Sequence, residues 1–255
     1  MFNKKTKQSK YSGLISERDI SEKFSAIWKQ NFPLLTPNFI RVFNDTQITV
    51  INTKQVIALE QVRYDLVSEA AYNLSEFAFL NKLTPIEAFT EDEQIKIIQE
   101  TARSIWKSGN YSEKDLTISE TEKQEIISIA DNTLEFIEKL GGQDVLFKPR
   151  LKGYSFIPDL CADLSIGDSL FEIKTVNRKF KSSDLKQLFV YIALRQVSDK
   201  DNWKFAGLYN PRKGVYCKFN IKTLIYNLTG GKTPNEAFEQ LLNGLNRDVE
   251  IDSRF

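Results

Sequence analysis

The chain has 255 residues, enough to bury one hydrophobic core, or one core with a smaller subdomain. Its 41% hydrophobic and 27% charged residues are typical of a soluble globular protein, and its formal net charge is +1. Two cysteines and no histidine exclude Ser-His-Asp and Cys-His catalytic sites, four-cysteine zinc or iron–sulfur sites, and histidine-ligated metal centres. A metal site in this chain would therefore use oxygen ligands, which favour magnesium, manganese or calcium.

The charges are distributed unevenly along the chain. Residues 56–145 carry 18 acidic and 8 basic side chains, whereas residues 148–220 carry 14 basic and 7 acidic ones. This asymmetry predicts a basic working face beside an acidic region that docks a partner protein, forms a homo-oligomer or covers the site; chance patchiness on solvated faces is the alternative. Two cysteines without a CxxC motif fit a cytoplasmic protein with reduced thiols. No apolar stretch approaches the roughly 20 residues that span a bilayer, so we expect no membrane partner.

The first 115 residues are predicted to be mainly helical. Residues 1–20 indicate a flexible basic tail, and residues 21–115 indicate an accessory region. Within that region the hydrophobic patterns predict a helix near 21–30, strands at 38–43 and 47–52, and helices near 56–80 and 91–107. Thr84-Pro85-Ile86-Glu87 predicts a further helix start, with threonine as N-cap and proline at the first position.

From residue 116 to residue 255 the pattern predicts one α/β domain. A long amphipathic helix at 120–140 ends at Gly141-Gly142 and is followed by three strands, a capped helix and two more strands. These elements are predicted at 145–148, 156–166, 169–176, 182–196, 203–209 and 215–219. The order of helix, three strands, helix and two strands is that of an α/β sandwich with a mixed sheet.

A tight turn at Gly167-Asp168 pairs two of these strands as a hairpin. Because alternate residues of a strand share a face, Glu172 and Lys174 point the same way. On the preceding strand, Asp159 and Asp163 likewise share a face. Charged groups inside such apolar strands are costly to bury unless they pair or bind a metal, whereas a surface ion pair is the alternative for Glu172 and Lys174.

Pro158-Asp159 followed by Glu172-Ile173-Lys174 resembles the signature of the PD-(D/E)xK nuclease superfamily. On the next helix, Gln187 and Tyr191 resemble the QxxxY motif of its RecB-like branch, and their spacing places them on one helix face. The resemblance covers about 90–100 residues from the helix at 120–140 onwards. It implies a restriction-endonuclease-like core with a mixed sheet flanked by helices, in which Gln187 and Tyr191 would steady a phosphate or the lysine.

The resemblance also implies a metal-dependent nuclease. Mg²⁺, or Mn²⁺, would be held by Asp159, Glu172 and the backbone carbonyl of Ile173. Lys174 would orient the attacking water and neutralise charge on the phosphate. Asp163 has the same strand parity as Asp159 and is the second candidate for its position.

Two further groups of residues follow from the resemblance and from the charge pattern. RecB-like enzymes often add a histidine ligand, which this chain lacks, and many superfamily members use an acid on the first core helix, for which Glu135 and Glu138 are both candidates. Four basic residues are predicted to contact phosphates, with a solvated loop as the alternative: Arg178, Lys179, Lys181 and Arg195.

The expected activity is hydrolysis of phosphodiester bonds in DNA, as an endonuclease or exonuclease in phage defence, restriction or recombination. Two alternatives remain open at this level. One is an RNA nuclease. The other is a nuclease-fold subunit that binds nucleic acid or protein within a larger complex, for which the acidic N-terminal region would supply the interface.

Overall fold

The structure, a computed structural model, describes residues 15–52, 54–57, 62–106, 112–198 and 202–252. Residues 1–14 of the predicted tail lie outside these ranges. Residues 15–20 do not form a tail, because Ile15 is buried and a helix, α1, begins at Glu17. Ser16 caps this helix by accepting a hydrogen bond from the backbone N of Asp19.

Helices make up most of the described chain before residue 140. They are α1 (Glu17–Lys23), α2 (Ser25–Asn31), α3 (Pro37–Thr46), α4 (Tyr64–Asn81), α5 (Pro85–Ala88), α6 (Glu91–Ile105), α7 (Glu113–Leu116) and α8 (Glu120–Lys139), with strand β1 (Thr49–Val50) after α3. The predicted helices at 91–107 and 120–140 are confirmed, and the one predicted at 56–80 begins only at Tyr64. Thr84 and Glu87 form the predicted capping box at the start of α5.

The strand predicted at 38–43 is wrong, because these residues belong to helix α3. Thr36 accepts a hydrogen bond from the backbone N of Phe39 and Pro37 lies at the start of the helix, and both features favour helix initiation. Phe39 and Phe43 then pack together on one helix face, with ring centroids 5.8 Å apart. The strand predicted at 47–52 is reduced to β1.

The rest of the chain forms a mixed sheet and its flanking helices. The elements are β2 (Val145–Phe147), β3 (Arg150–Leu151), β4 (Leu160–Cys161), β5 (Leu164–Ile166), β6 (Ser169–Ile173), α9 (Ser182–Ser198), β7 (Phe205–Asn210), β8 (Val215–Asn220), α10 (Ile221–Thr229) and α11 (Pro234–Asp252). Six strands are ordered β1-β8-β7-β6-β5-β2, and β3 pairs with β4 separately. Only the β6–β7 pair is parallel in the six-stranded sheet, and α9 makes its crossover. Within the described ranges no helix is both long and apolar enough to cross a membrane.

Helices cover both faces of the sheet, as the α/β pattern predicts. On one face Leu170 packs in a cluster that contains residues of α9. On the other face Phe171 and Tyr209 pack against Phe136 of α8, whose ring stacks on that of Tyr209 at 3.8 Å. Because side chains alternate along β6, Glu172 lies on the same side of the sheet as Leu170 and thus toward α9.

A buried ion pair joins α8 to the turn between β7 and β8, and it gives a test of the packing. Nη1 of the fully buried Arg212 donates to Oε2 of Glu125 at 2.8 Å. Replacing Glu125 by Ala removes this carboxylate from a buried guanidinium, so we expect the free energy of unfolding to fall by about 3–5 kcal/mol. Urea unfolding followed by circular dichroism measures the change. Arg41→Ala, which removes an exposed pair with Asp45, is the control, and an equal loss in both variants would contradict the prediction.

Candidate active site

The β5–β6 hairpin positions the charged residues of the candidate site. Gly167 adopts a φ of +54° in its two-residue turn, and the strands pair from Ile166 opposite Ser169 to Leu164 opposite Phe171. The strand predicted at 156–166 is not continuous. Its first part forms β4, which pairs with β3, and its second part forms β5 in the main sheet.

Asp163 lies at the bend between β4 and β5, where the antiparallel ladder ends. Its Oδ2 accepts a hydrogen bond of 2.6 Å from the backbone N of Ile173. Its backbone oxygen accepts one from the Tyr72 hydroxyl at 2.5 Å and one from the backbone N of Lys148 at 3.0 Å. Beyond the last backbone pair of β5 and β6, the carboxylate of Asp163 thus replaces a backbone carbonyl as the acceptor for the N–H of Ile173. These bonds hold the carboxyl of Asp163 next to the end of β6, which carries Glu172.

Four of the predicted site residues form one hydrogen-bonded chain. Lys174 Nζ donates to Glu172 Oε1 at 2.6 Å and to Gln187 Oε1 at 2.7 Å. Gln187 Nε2 in turn donates to the hydroxyl of Tyr191 at 3.0 Å. Glu172 lies in β6 and Lys174 directly follows that strand, while Gln187 and Tyr191 lie on α9, so the fold brings the predicted ExK and QxxxY residues together.

Asp159 is not part of this cluster. It is exposed, and its Oδ1 accepts a hydrogen bond of 2.8 Å from the backbone N of Gly153. This bond closes a tight loop, in which a Cβ at position 153 would come within 2.4 Å of the Ile157 carbonyl oxygen. The prediction of Asp159 assumed a continuous strand, and the bend before β5 removes that assumption. Asp163, the second candidate, takes the position beside Glu172.

The two carboxyls beside Lys174 lie in an environment that disfavours their ionised forms. Burial raises the pKa of Glu172, which is 2% exposed, and the neighbouring Asp163 raises it further. Burial also raises the pKa of Asp163, although Lys174 and the backbone N–H of Ile173 act against this. Burial alone would lower the pKa of Lys174, but Glu172 and Asp163 together raise it, so the ammonium form is retained.

One oxygen of Glu172 is left without a donor. Its Oε2 is buried and has no hydrogen-bond partner within the described part of the chain. A buried carboxylate oxygen of this kind is costly unless a proton or a cation neutralises it. No group of three or more aspartate, glutamate or cysteine side chains among the described residues is already arranged as a metal site. A cation here would therefore bind between the Asp163–Glu172 pair and backbone oxygens.

Neither acid predicted on the first core helix reaches this cluster. Glu135 pairs with Lys139 at 2.5 Å and accepts a hydrogen bond from Asn52 Nδ2 at 2.7 Å, while Glu138 is exposed. Helix α8 instead presents Phe136 and neighbouring apolar residues to the opposite face of the sheet. An acid on α8 is therefore on the wrong side of β6 to join Glu172.

Glu69 of helix α4 is the acid that faces the site, and the sequence did not single it out. Burial raises its pKa, and its charge in turn raises the pKa of Asp163. It lines a cavity of about 410 Å³ together with Asp163, Ile173 and Lys174. Glu69 and Tyr72 are three residues apart on α4, so one helix turn from the predicted accessory region forms a wall of the site. In the sequence, the three-residue spacing of Glu69 and Tyr72 is the signal that could have pointed to a shared helix face.

Three of the four basic residues predicted to bind phosphates contact other side chains of the protein. Arg178 makes a two-bond ion pair with the buried Asp184, at 2.6 and 2.8 Å, and this pair fixes the start of α9. Lys179 pairs with Asp45 at 3.0 Å. The side chain of Arg195 lies over the ring of Trp203 at 5.2 Å, toward the far end of α9 from the cavity. Lys181 is exposed, and the structure assigns its side chain no role in the site.

No protein-family model matches the sequence, and no curated protein matches it.

The raised pKa of Glu172 predicts a pH dependence of stability in the absence of divalent cations. The folded chain holds this proton more tightly than the unfolded chain, in which the carboxyl has a pKa near 4.5. The free energy of unfolding should therefore fall as pH rises from that value through the folded pKa of about 8. Urea unfolding in EDTA at several pH values measures the slope. We expect Glu172→Gln to flatten it and Glu138→Gln, at an exposed carboxyl, to leave it unchanged; equal slopes in wild type and Glu172→Gln would contradict the prediction.

Proposed function

We propose that the protein is a divalent-cation-dependent nuclease of the PD-(D/E)xK type that hydrolyses phosphodiester bonds in DNA. In this proposal Asp163, rather than Asp159, precedes the Glu172-Ile173-Lys174 strand. The observation that carries it is the half-buried Asp163 beside the buried Glu172, with one oxygen of Glu172 unpartnered among the described residues and with Lys174 held against the other. A structural ion pair would need only one acid, whereas the second acid beside Lys174 must hold either a proton or a cation.

The order of elements supports the same proposal. The segment α8-β2-β5-β6-α9-β7 has a helix, an antiparallel three-stranded unit, a crossover helix and a strand parallel to β6. This is the order that the superfamily resemblance implies for a restriction-endonuclease-like core. Helix α4 adds a wall that lies outside that segment.

The donor set fits a hard divalent cation such as Mg²⁺ or Mn²⁺. Asp163, Glu172 and the backbone carbonyl of Ile173 would hold it, and Glu69 lines the cavity on the side of Asp163. All of these ligands are oxygens, as Mg²⁺ prefers. When bound, the cation supplies Lewis-acid polarisation of the scissile phosphate. It would also take the place of the proton that the raised pKa of Glu172 keeps on the carboxyl pair.

Lys174 carries the positive charge that the chain itself brings to a phosphate. Its pKa is raised by Glu172 and Asp163, so it remains an ammonium group that can donate to a phosphate oxygen or to a water molecule. Gln187 Oε1 accepts one hydrogen bond from this ammonium group, and the bond from Gln187 Nε2 to the Tyr191 hydroxyl orients the amide. Burial raises the pKa of Tyr191 well above its ordinary range, so this hydroxyl stays protonated and acts by position.

The direct test is a cleavage assay on plasmid DNA, single-stranded DNA and RNA, with Mg²⁺ and with EDTA. We expect Mg²⁺-dependent cleavage that is reduced about 100-fold or more in Asp163→Asn, Glu172→Gln and Lys174→Ala, since each removes a charge from the reacting centre. Asp159→Asn, which keeps an acceptor for Gly153, is the matched control and should retain the rate. Full activity of the Glu172 and Lys174 variants would refute the proposal, and preferential RNA cleavage would change the substrate.

A second test concerns the acid on α4. Because the Glu69 carboxylate faces Asp163 across the cavity, Glu69→Gln should raise the Mg²⁺ concentration needed for half-maximal cleavage by about 10-fold, within the range seen for residues that support a metal ligand. Glu135→Gln removes a carboxylate of the same length on α8, away from the site, and should leave the requirement unchanged. The same Mg²⁺ dependence in both variants would remove Glu69 from the site.

A further inference from the structure

A second polar cavity lies between helices α2 and α11, outside the candidate active site. Its volume is about 400 Å³, and its described lining consists of Gly244 and five amide or guanidinium side chains, which are Gln30, Asn31, Gln240, Asn243 and Arg247. We call it the amide groove. Gly244 allows the two helices to approach closely, because a Cβ there would lie 3.3 Å from a methyl group of Ile27. Amide and guanidinium groups are donors that suit phosphate and sugar oxygens.

The β3–β4 segment leads from the active-site cavity to the amide groove. At one end Cys161 lines that cavity and pairs with Arg150. At the other end the hydroxyl of Tyr154 donates to Oδ1 of Asn243 in the amide groove, at 3.3 Å. The four residue steps from Arg150, opposite Cys161, to Tyr154 can span at most about 14 Å, roughly the rise of four nucleotides of a stacked strand. The two cavities therefore lie within reach of one short nucleic-acid strand.

Cations lie on the solvent side of this segment. Arg150 and Lys152 are both exposed, and Arg150 lies directly opposite Cys161, which lines the active-site cavity. Leu151, between them, is buried against the cluster that includes α9, so the segment is anchored to the sheet domain. The only acid close by in sequence, Asp159, is held by the backbone N of Gly153. The exposed face thus offers positive charge between the two cavities.

We propose that Arg150, Lys152 and the amide groove bind the phosphate backbone of the strand that enters the active site. This inference rests on the proposed nuclease function and extends it to the path of the substrate. The cations neutralise phosphates next to the scissile position, and Arg247 with the neighbouring amides holds the same strand farther along, within about four nucleotides. The binding is to the backbone and is therefore independent of base sequence.

The path is tested by fluorescence anisotropy of labelled oligonucleotides in EDTA, over a series of salt concentrations. We expect Arg150→Gln/Lys152→Gln to weaken binding of a 20-nucleotide single strand by at least about 10-fold and to reduce the salt slope by about 1.4, the effect of two lost phosphate contacts. Arg247→Gln should reduce the slope by about 0.7 on the same 20-mer. Lys222→Gln, an exposed cation on α10, is the control and should bind as wild type does.

The outcomes separate this inference from the proposed function. Unchanged affinity and salt slope in the Arg150/Lys152 and Arg247 variants, in a protein that cleaves DNA through Glu172, would overturn the path and leave the nuclease. Weakened binding in those variants without Mg²⁺-dependent cleavage would support the path and overturn the nuclease. No binding of DNA or RNA strands by wild type would overturn the path. Matched deoxy- and ribo-oligonucleotides identify which backbone is preferred.

Discussion

The hydrogen bond from the backbone N of Ile173 to the side chain of Asp163 determines the geometry of the candidate site. It ends the β5–β6 ladder, turns the chain out of the main sheet, and places one carboxyl beside the buried Glu172. The arrangement costs free energy, because two acids share a desolvated space with only Lys174 as a direct counter-charge. A divalent cation bound between the two carboxyls would remove that cost. The desolvated carboxyl pair therefore explains both the free-energy cost of the site and its proposed affinity for a cation.

The helical N-terminal region is part of the site rather than an appendage. Tyr72 donates to the backbone oxygen of Asp163, and Glu69 faces its carboxyl from the same turn of α4. Helix α4 is held there by apolar packing on α6 and α8, in a cluster separate from those of the sheet. At least one acidic residue of this region, Glu69, therefore lines the cavity.

Many of the charged groups have structural partners, and this limits what can bind a substrate. Arg178 fixes the start of α9 through Asp184, and Arg212 joins α8 to the β7–β8 turn through Glu125. Removing either would damage the fold before it affected a ligand. The exposed Arg150 and Lys152 form no ion pair among the described contacts, and Arg150 lies opposite Cys161, which lines the cavity.

The sequence by itself determined the α/β class and the long helices, and local periodicity put Glu172 with Lys174 and Gln187 with Tyr191, since residues two apart on a strand or four apart on a helix share a face. That these two pairs meet was implied only by the resemblance to the PD-(D/E)xK superfamily, because periodicity does not say which elements pack together. Only the tertiary structure decided between Asp159 and Asp163. The chain bends between β4 and β5, so residues before and after the bend no longer share a face, and sequence periodicity does not reveal such a bend. Only the fold brings Glu69 to the site, since that contact joins distant parts of the chain through packing that no local pattern encodes.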